Sequence, residues 1–254
     1  MQTRSTIPVT EVYFKQPIHP TAMRKFRGAV IESVLAHEAV FERAGISPQL
    51  FHNHTTALHA GEEAAALPPD DPGRSFDYPL VQYKIGRRRA GLFGIGEGAI
   101  ALQLWLALAG DHLLVEGKPY DLQIARHFHH QWKPALSPAV QRYRLNRWLP
   151  LSAKNHKKWK NSPRLHDRVH LLEGALWGHL CHLCEGLNID LPKSGLELYL
   201  SSIDHSTYAN CYGFQKLALD ITFESNFPLP ESIGLGQGVT LGFGKVQGIE
   251  NKYA

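Results

Sequence analysis

Residues 78–98, YPLVQYKIGRRRAGLFGIGEG, decide the predicted fold. Two apolar runs, 78–85 and 90–95, flank the sequence Gly86-Arg87-Arg88-Arg89, which is the pattern of a β-hairpin with a basic tip. The glycine-rich end of the stretch opens a helix that we expect to reach about Leu108. These residues therefore predict two antiparallel strands followed by a helix.

The segments on either side extend this order. Before it, residues 7–14 alternate as a strand does, and residues 23–44 have helical periodicity. Residues 46–77 lack a sustained period and predict a long loop. After the hairpin and its helix, residues 112–122 predict a strand. This order of elements is that of the ferredoxin-like split βαβ unit, which RNA-recognition folds share.

The second half of the chain partly repeats the first. After a His-rich connector at 125–137, strands are predicted at 140–151, 196–202, 214–225 and 243–248, and a long amphipathic helix at 166–187. A Pro-rich and then Gly-rich segment stands where the second helix of the repeat would be. We therefore predict an α+β protein of two tandem ferredoxin-like (RRM-like) domains, residues 1–124 and 125–254, with a C-terminal glycine-rich loop before the last strand.

The composition fits a globular protein inside the cell. Of 254 residues, 43% are hydrophobic, which is enough for a substantial core. The longest apolar stretch, 98–110, is too short to span a bilayer, and no signal-peptide core follows the N-terminus. Three cysteines without framework spacing favour a reducing compartment. We expect a cytoplasmic protein that does not bind membranes.

Positive charge is modest in total but clustered. The formal net charge is +4, and fifteen histidines can gain protons beside a polyanion. The basic residues cluster at 87–89 and at 154–160, as a phosphate-binding surface requires. For either of these two clusters alone, solvated loop charge is an equally good explanation. The candidate contacts are Arg87, Arg88 and Arg89 at the hairpin tip, Arg142, Arg144 and Arg147 along a predicted strand edge, and Lys154, Lys157 and Lys158 beyond it.

A glycine run precedes the last predicted strand. Glycines allow successive backbone N–H groups to approach a phosphate closely, so we predict that the run holds a nucleic-acid backbone. It lacks the spacing of a P-loop, and it does not open a helix as a dinucleotide-binding motif does. A set of tight turns with a bulged last strand is the alternative. The run comprises Gly234, Gly236, Gly238, Gly242 and Gly244, followed by Lys245.

Two histidines stand close together in the motif Phe51-His52-Asn53-His54. Two imidazoles can cleave a ribose phosphodiester, because one deprotonates the 2′-hydroxyl and the other protonates the departing 5′-oxygen. Polar loop histidines without a catalytic role are the alternative. The letters also suggest the HNH nuclease fold, but the flanking sequence does not supply its ββα-metal element.

Two other groups of residues could bind metal. Along a helix, His179 with His182 and Cys181 with Cys184 would lie on different sides, so the four cannot close one tetrahedral site. The histidines at 127, 129 and 130 are better explained as contacts with RNA or solvent. We predict no metal site and no cofactor.

Together, the two ferredoxin-like halves, the motif at 51–54, residues 78–84 and the glycine run resemble the CRISPR repeat-processing endoribonucleases of the Cas-six family, b-type branch. The resemblance implies that His52 and His54 are the catalytic pair and that the partner is CRISPR repeat RNA. It also implies metal-independent cleavage within each repeat of precursor CRISPR RNA, leaving a 2′,3′-cyclic phosphate and a 5′-hydroxyl. We expect Lys84 or an arginine to steady the phosphorane.

The resemblance leaves several points open. It does not say which histidine is base and which is acid, and no third catalytic residue is matched. Association with interference-complex proteins and a homodimer are both compatible with it. A catalytically silent RNA-binding subunit of the same fold is its main rival. The sequence is also compatible with a metal-dependent nuclease of the HNH class and with a purely structural α+β protein.

Overall fold

The computed structural model describes residues 6–52 and 77–249, which form two compact units. The first comprises residues 6–52, 79–133 and 240–242, and the second 77–78, 134–239 and 243–249. The helices are α1 Met23–Leu35, α2 Glu38–Arg43, α3 Glu97–Leu108, α4 Ala153–Asn161 and α5 Leu165–Gly186. The strands are β1 Ile7–Pro17, β2 Val81–Gly86, β3 Arg89–Ile95, β4 His112–Val115, β5 Lys118–Asp121, β6 Ile124–Trp132, β7 Gln141–Trp148, β8 Leu198–Cys211, β9 Phe214–Ser225 and β10 Lys245–Ile249.

Each unit is built on a four-stranded antiparallel sheet. The strand order is β2-β3-β1-β6 in the first unit and β10-β7-β9-β8 in the second. When the strands of each unit are numbered in chain order, both sheets follow 4-1-3-2, the order of the ferredoxin-like fold. The predicted fold class, two tandem ferredoxin-like domains, is confirmed. Between β9 and β10 the described chain has no α-helix, only a short 3-10 turn at Val239–Leu241 within the glycine run.

An aromatic core holds the first unit together. The ring of Phe14 on β1 packs edge-on against Trp105 of α3 and Tyr120 of β5, at centroid distances of 6.4 Å each. Phe26 of α1 lies 6.0 Å from the same ring. Burying such side chains contributes about 1.5–3 kcal/mol each. The helices are therefore fixed against one face of the sheet.

The hairpin predicted from the apolar runs 78–85 and 90–95 is present, as β2 and β3. Its two strands are joined by the two-residue turn Arg87-Arg88, and both residues have positive φ, 49° and 61°. The N–H of Ile18 donates to the carbonyl of Arg88 at 2.7 Å. The three arginines of the tip are exposed. This is the type I′ geometry of tight hairpins, which usually takes Asn or Gly.

The single strand predicted at 112–122 is wrong. These residues form a separate hairpin of β4 and β5, turned by Glu116 and Gly117, both with positive φ. Leu113 and Tyr120 on the two strands are buried in the core of the first unit. The apolar pattern was continuous because both strands face the same core.

The segment predicted as a connector at 125–137 contains the fourth strand of the first sheet, which lies beyond the predicted boundary at 124/125. β6 pairs with β1 throughout its length, and the contact boundary falls after Lys133. β6 is an edge strand whose side chains are almost all exposed, so it lacks the alternation that marks a half-buried strand. Its His129 lies 3.0 Å from the Thr10 hydroxyl of β1.

Other boundaries also differ from the prediction. The helix predicted at 23–44 is interrupted at residues 36–37, and the strand predicted at 196–202 continues to Cys211. The lysine-rich segment after β7 is a helix, α4, whose N-terminal Ser152 hydroxyl accepts from the N–H of Asn155. No helix among the described residues is long and apolar enough to cross a membrane.

Candidate functional site

A short 3-10 helix places His52 at the edge of the first core. The Ser47 hydroxyl accepts from the N–H of Gln49, and Pro48 starts the turn Pro48–Phe51. The ring of Phe51 is fully buried, 6.1 Å from the ring of Phe41 and 6.4 Å from that of Trp105. His52 follows directly and is half-buried, because its neighbour is anchored in the core.

Two side chains from neighbouring elements hold the backbone around His52. The Nη2 of Arg27 on α1 donates to the carbonyl of His52 at 2.7 Å, and the Tyr83 hydroxyl on β2 donates to the carbonyl of Phe51 at 3.3 Å. The guanidinium of Arg27 also lies 5.8 Å from the centre of the Tyr83 ring. Burial raises the pKa of Tyr83, and the nearby guanidinium opposes this rise. The N–H of His52 donates to the carbonyl of Gln49.

This environment favours the neutral imidazole. Burial lowers the pKa of His52 below its usual value of 6.5, and the positive charge of Arg27 lowers it further. Its Nε2 is buried and has no hydrogen-bond partner among the described residues. A neutral imidazole with an unoccupied nitrogen can accept a proton. His54 lies outside the described residues.

Lys84 does not lie beside this turn. Successive side chains of a strand point to opposite faces, and it is Tyr83 that faces Phe51. Lys84 has no exposed surface, and its Nζ lies 5.7 Å from the centre of the Phe93 ring. The expectation that Lys84 contacts RNA and steadies the phosphorane is therefore not supported. Arg27 is the cation beside His52.

Most of the glycine run is packed tightly within the second unit, whereas residues 240–242 belong to the first. A Cβ on Gly244 would lie 1.8 Å from the carbonyl oxygen of Leu235, and one on Gly236 2.7 Å from the Trp148 ring. Gly236, Gly238, Gly242 and Gly244 all have positive φ, so the run needs glycine for its turns. Gly242 is different, because its nearest contact, the Tyr83 carbonyl oxygen, would be 3.4 Å from a Cβ.

Part of the run's backbone is already hydrogen-bonded. The N–H groups of Leu235, Gln237, Phe243 and Gly244 donate to carbonyls of the second unit at 2.8–3.3 Å. The Tyr78 hydroxyl donates to the carbonyl of Gly234 at 2.7 Å. These contacts support the interpretation of the run as structural turns, and they narrow the predicted phosphate donors to the remaining amides.

Trp148 packs against the glycine run, and His179 in turn holds Trp148. The indole N–H of Trp148, whose ring covers Gly236, donates to Nδ1 of His179 at 3.1 Å. His179 therefore accepts this hydrogen bond with an unprotonated nitrogen. In the part of the chain that the structure describes, no three His, Cys, Asp or Glu side chains are grouped as metal ligands.

We expect the second unit to lose stability in acid through His179. Burial lowers the pKa of His179 to about 4, with His182 adding a smaller effect. The unfolded chain, with a pKa near 6.5, binds more protons than the folded chain between these values, so the contribution is complete above pH 6.5 and is lost as pH falls to about 4. It amounts to about 3 kcal/mol at most. Urea unfolding at pH 7, 6, 5 and 4.5 measures it.

His179→Gln is the matched control for this titration. The glutamine keeps an acceptor for Trp148 and removes the ionisable group, so its free energy of unfolding should vary less with pH than that of the wild type. Identical pH dependence in both proteins would contradict the prediction.

The arginines of β7 do not lie on a sheet edge, because β7 pairs with β10 and β9. Arg142 and Arg144 are exposed on one face of this sheet. They share it with Asp204, whose pKa is held low by hydrogen bonds from Ser202 and Thr222 and by the two arginines. This carboxylate offsets part of their charge.

Arg147 belongs with the glycine run instead. It sits in a bulge of β7 with φ of 48°, and its carbonyl accepts from the N–H of Gly244 at 3.2 Å. Its guanidinium lies 4.5 Å from the centre of the Phe243 ring. Lys245, the residue directly after Gly244, is half-buried. A cation thus lies directly on the run.

A basic hollow of about 560 Å³ lies where α4 meets α5. The lysines predicted to contact RNA are brought together here, and the acidic Asp167 also lines the hollow. The residues around it are Lys154, Lys157, Lys158, Asn161, Ser162, Asp167 and Leu171. The arrangement suits an anionic ligand of several groups, such as a nucleic-acid backbone.

Family comparison matches most of the described chain. Residues 69–132 match the Cas6b N-terminal domain, and residues 135–249 match the Cas6b C-terminal domain. The chain belongs to the Cas6b family. It is thus a CRISPR repeat-processing protein of the Cas6b type, in agreement with the resemblance. None of the curated protein sequences compared with it matches significantly.

Solved structures agree at the level of the fold. A crystal structure of Cas6b superimposes with a TM-score of 0.73 at 20% identity, covering 96% of this chain and 100% of the other. A Cas6b described as a CRISPR RNA processing endoribonuclease gives 0.65 at 17%, with the same coverage. Csf5, a type IV Cas6 crRNA endonuclease, gives 0.51 at 12%, covering 97% and 100%.

In this Cas6b chain, reasoning from the sequence missed Arg27 and the role of Tyr83. Arg27 lies 25 positions before His52 on an ordinary amphipathic helix, and nothing in its local pattern distinguishes it. Tyr83 lies on β2 of the predicted hairpin, but its contact with Phe51 depends on tertiary packing. Only the closeness of α1, β2 and the 3-10 helix brings them to the histidine.

Proposed function

We propose that this protein is a metal-independent endoribonuclease that cleaves precursor CRISPR RNA within its repeats, leaving 2′,3′-cyclic phosphate and 5′-hydroxyl ends. The observation that carries the proposal is His52, a half-buried imidazole with a lowered pKa and an unoccupied buried Nε2. It stands in a chain whose family processes CRISPR repeats.

In the proposed reaction, His52 accepts the proton of the 2′-hydroxyl. The 2′-oxygen then attacks phosphorus, and the bond from phosphorus to the 5′-oxygen breaks. The leaving oxygen takes a proton from the other histidine, His54. The lowered pKa of His52 supports the base role, because the base must be neutral when substrate binds.

RNA is proposed to bind through three basic regions of the described chain. These are the exposed hairpin tip at Arg87–Arg89, Arg147 beside the glycine run, and the lysines of the α4 hollow. Arg142 and Arg144 are weaker candidates because Asp204 lies near them. Association with interference proteins, a homodimer and a cytoplasmic location remain predictions.

The decisive test is cleavage of a repeat RNA transcribed from a CRISPR array beside the gene. We expect one cut per repeat and the same cleavage rate in EDTA. Phosphatase alone should not convert the 3′ end of the product to a 3′-hydroxyl, because a cyclic phosphate is a diester. Strong inhibition by EDTA would indicate a metal-dependent nuclease. Salt-sensitive binding without cleavage would indicate the silent RNA-binding subunit.

The hairpin tip allows a prediction that separates stability from binding. Arg87 and Arg88 both occupy the left-handed region, where Asn-Gly is preferred. The double change Arg87→Asn, Arg88→Gly should raise the free energy of unfolding by about 1 kcal/mol and weaken RNA binding, since two cations are lost. Thermal melting and the salt dependence of the RNA Kd measure the two effects.

Glu116→Asn is the control, because Glu116 occupies a similar turn in the β4–β5 hairpin. It should stabilise the protein without weakening RNA binding. Equal RNA affinity of the tip variant and the wild type at every salt concentration would remove the tip from the RNA-binding surface.

A further inference from the structure

Two peptide groups flank the Cα of His52, and both are held by the same pair of side chains. The preceding peptide carries the Phe51 carbonyl, which accepts from the Tyr83 hydroxyl at 3.3 Å. The following peptide carries the His52 carbonyl, which accepts from Arg27 at 2.7 Å. Fixing both peptide planes fixes φ and ψ of His52 and therefore the direction of its Cα–Cβ bond.

The pair that holds these peptides is itself connected and supported. The guanidinium of Arg27 lies over the Tyr83 ring, 5.8 Å from its centre, so the two side chains and the turn form one packed group from α1 through β2. Tyr83 is buried to 1% exposure, and burial raises its pKa well above the usual value, so its hydroxyl stays protonated and donates. A buried, connected network of this kind restrains the groups it holds.

We propose that Arg27, together with Tyr83, is a positioning element for the reaction: it aims the imidazole of His52 at the scissile phosphodiester by clamping the backbone on both sides of it. This inference rests on the proposed function. It assigns neither residue a contact with RNA. Rate and affinity should therefore separate, because a misaimed base slows proton transfer without removing any contact that binds the repeat.

The variants Arg27→Lys and Tyr83→Phe test the clamp. Lysine keeps the charge but lacks the planar guanidinium that bonds the His52 carbonyl while lying over the Tyr83 ring, and phenylalanine removes only the hydroxyl. We expect single-turnover cleavage of the repeat RNA to slow about 30- to 100-fold for Arg27→Lys and about 10-fold for Tyr83→Phe. The RNA Kd should change less than about threefold.

The double variant gives the sharpest readout. Both residues hold one turn, so their effects should not multiply. The cleavage rate of the double variant, Arg27→Lys with Tyr83→Phe, should lie within about twofold of the rate of Arg27→Lys alone. Arg24→Lys, a change at an exposed position of the same helix, is the matched control and should cleave at the wild-type rate. Thermal melting of each variant shows whether it is folded at the assay temperature.

Failures of the two proposals are distinguishable. A wild-type protein that does not cut repeat RNA contradicts the proposed function. A wild-type protein that cuts, with both single variants cutting at its rate, overturns the clamp. Rates and affinities that fall in parallel in Arg27→Lys, or multiplicative rate losses in the double variant, also overturn it, since Arg27 would then bind RNA or act independently of Tyr83.

Discussion

Replacing either His52 or His54 by alanine is expected to slow cleavage of repeat RNA about 10²- to 10⁴-fold. Each imidazole moves one proton in the proposed transesterification, and alanine moves none. Binding should change little, because neither role requires the histidine to hold the repeat. Single-turnover rates with saturating protein, beside a filter-binding or gel-shift Kd, measure the two quantities separately.

His112→Ala is the matched control, since His112 is an exposed histidine on β4 of the same unit. It should cleave like the wild type. Wild-type rates in both His52→Ala and His54→Ala would show that the motif at 51–54 consists of loop histidines without catalytic function. Loss of RNA binding alongside cleavage in both would show that they bind the substrate instead.

Gly244→Ala is expected to be the most damaging single substitution in the glycine run. Its Cβ would lie 1.8 Å from the Leu235 carbonyl oxygen, and the residue has φ of 64°. Steric overlap with backbone and the left-handed conformation together should lower the free energy of unfolding by about 3–5 kcal/mol. Urea unfolding measures this loss, and failure to accumulate as folded protein is its extreme form.

Gly242→Ala in the same run is the control. It has φ of 84°, but a Cβ there would come no closer than 3.4 Å to another atom, so we expect a loss of about 1–2 kcal/mol. This variant stays folded and can be tested for RNA binding. Equal stability of the two alanine variants would contradict the packing of the run, and unchanged RNA affinity of Gly242→Ala would exclude the Gly242 backbone from phosphate binding.

Local patterns predicted much of the fold. Local patterns were sufficient for the β2–β3 hairpin, helix α5 and strands β7 and β9. Each has an apolar periodicity or a tight turn that depends only on residues close together in the sequence. β6 was missed for a physical reason. An edge strand exposed on both faces needs no apolar alternation, and its stability comes from hydrogen bonds to β1, more than 100 positions away in the chain.

The candidate site divides in the same way. Sequence alone proposed His52 and His54, the basic tip and the glycine run as candidates, because each depends on residue types at short spacing. Only the tertiary structure decided that Lys84 is buried while Arg27 lies beside His52, and that most of the run's glycines are required by packing. Strand alternation and helix packing set which side chains meet, and those contacts join residues whose separation along the chain carries no signal.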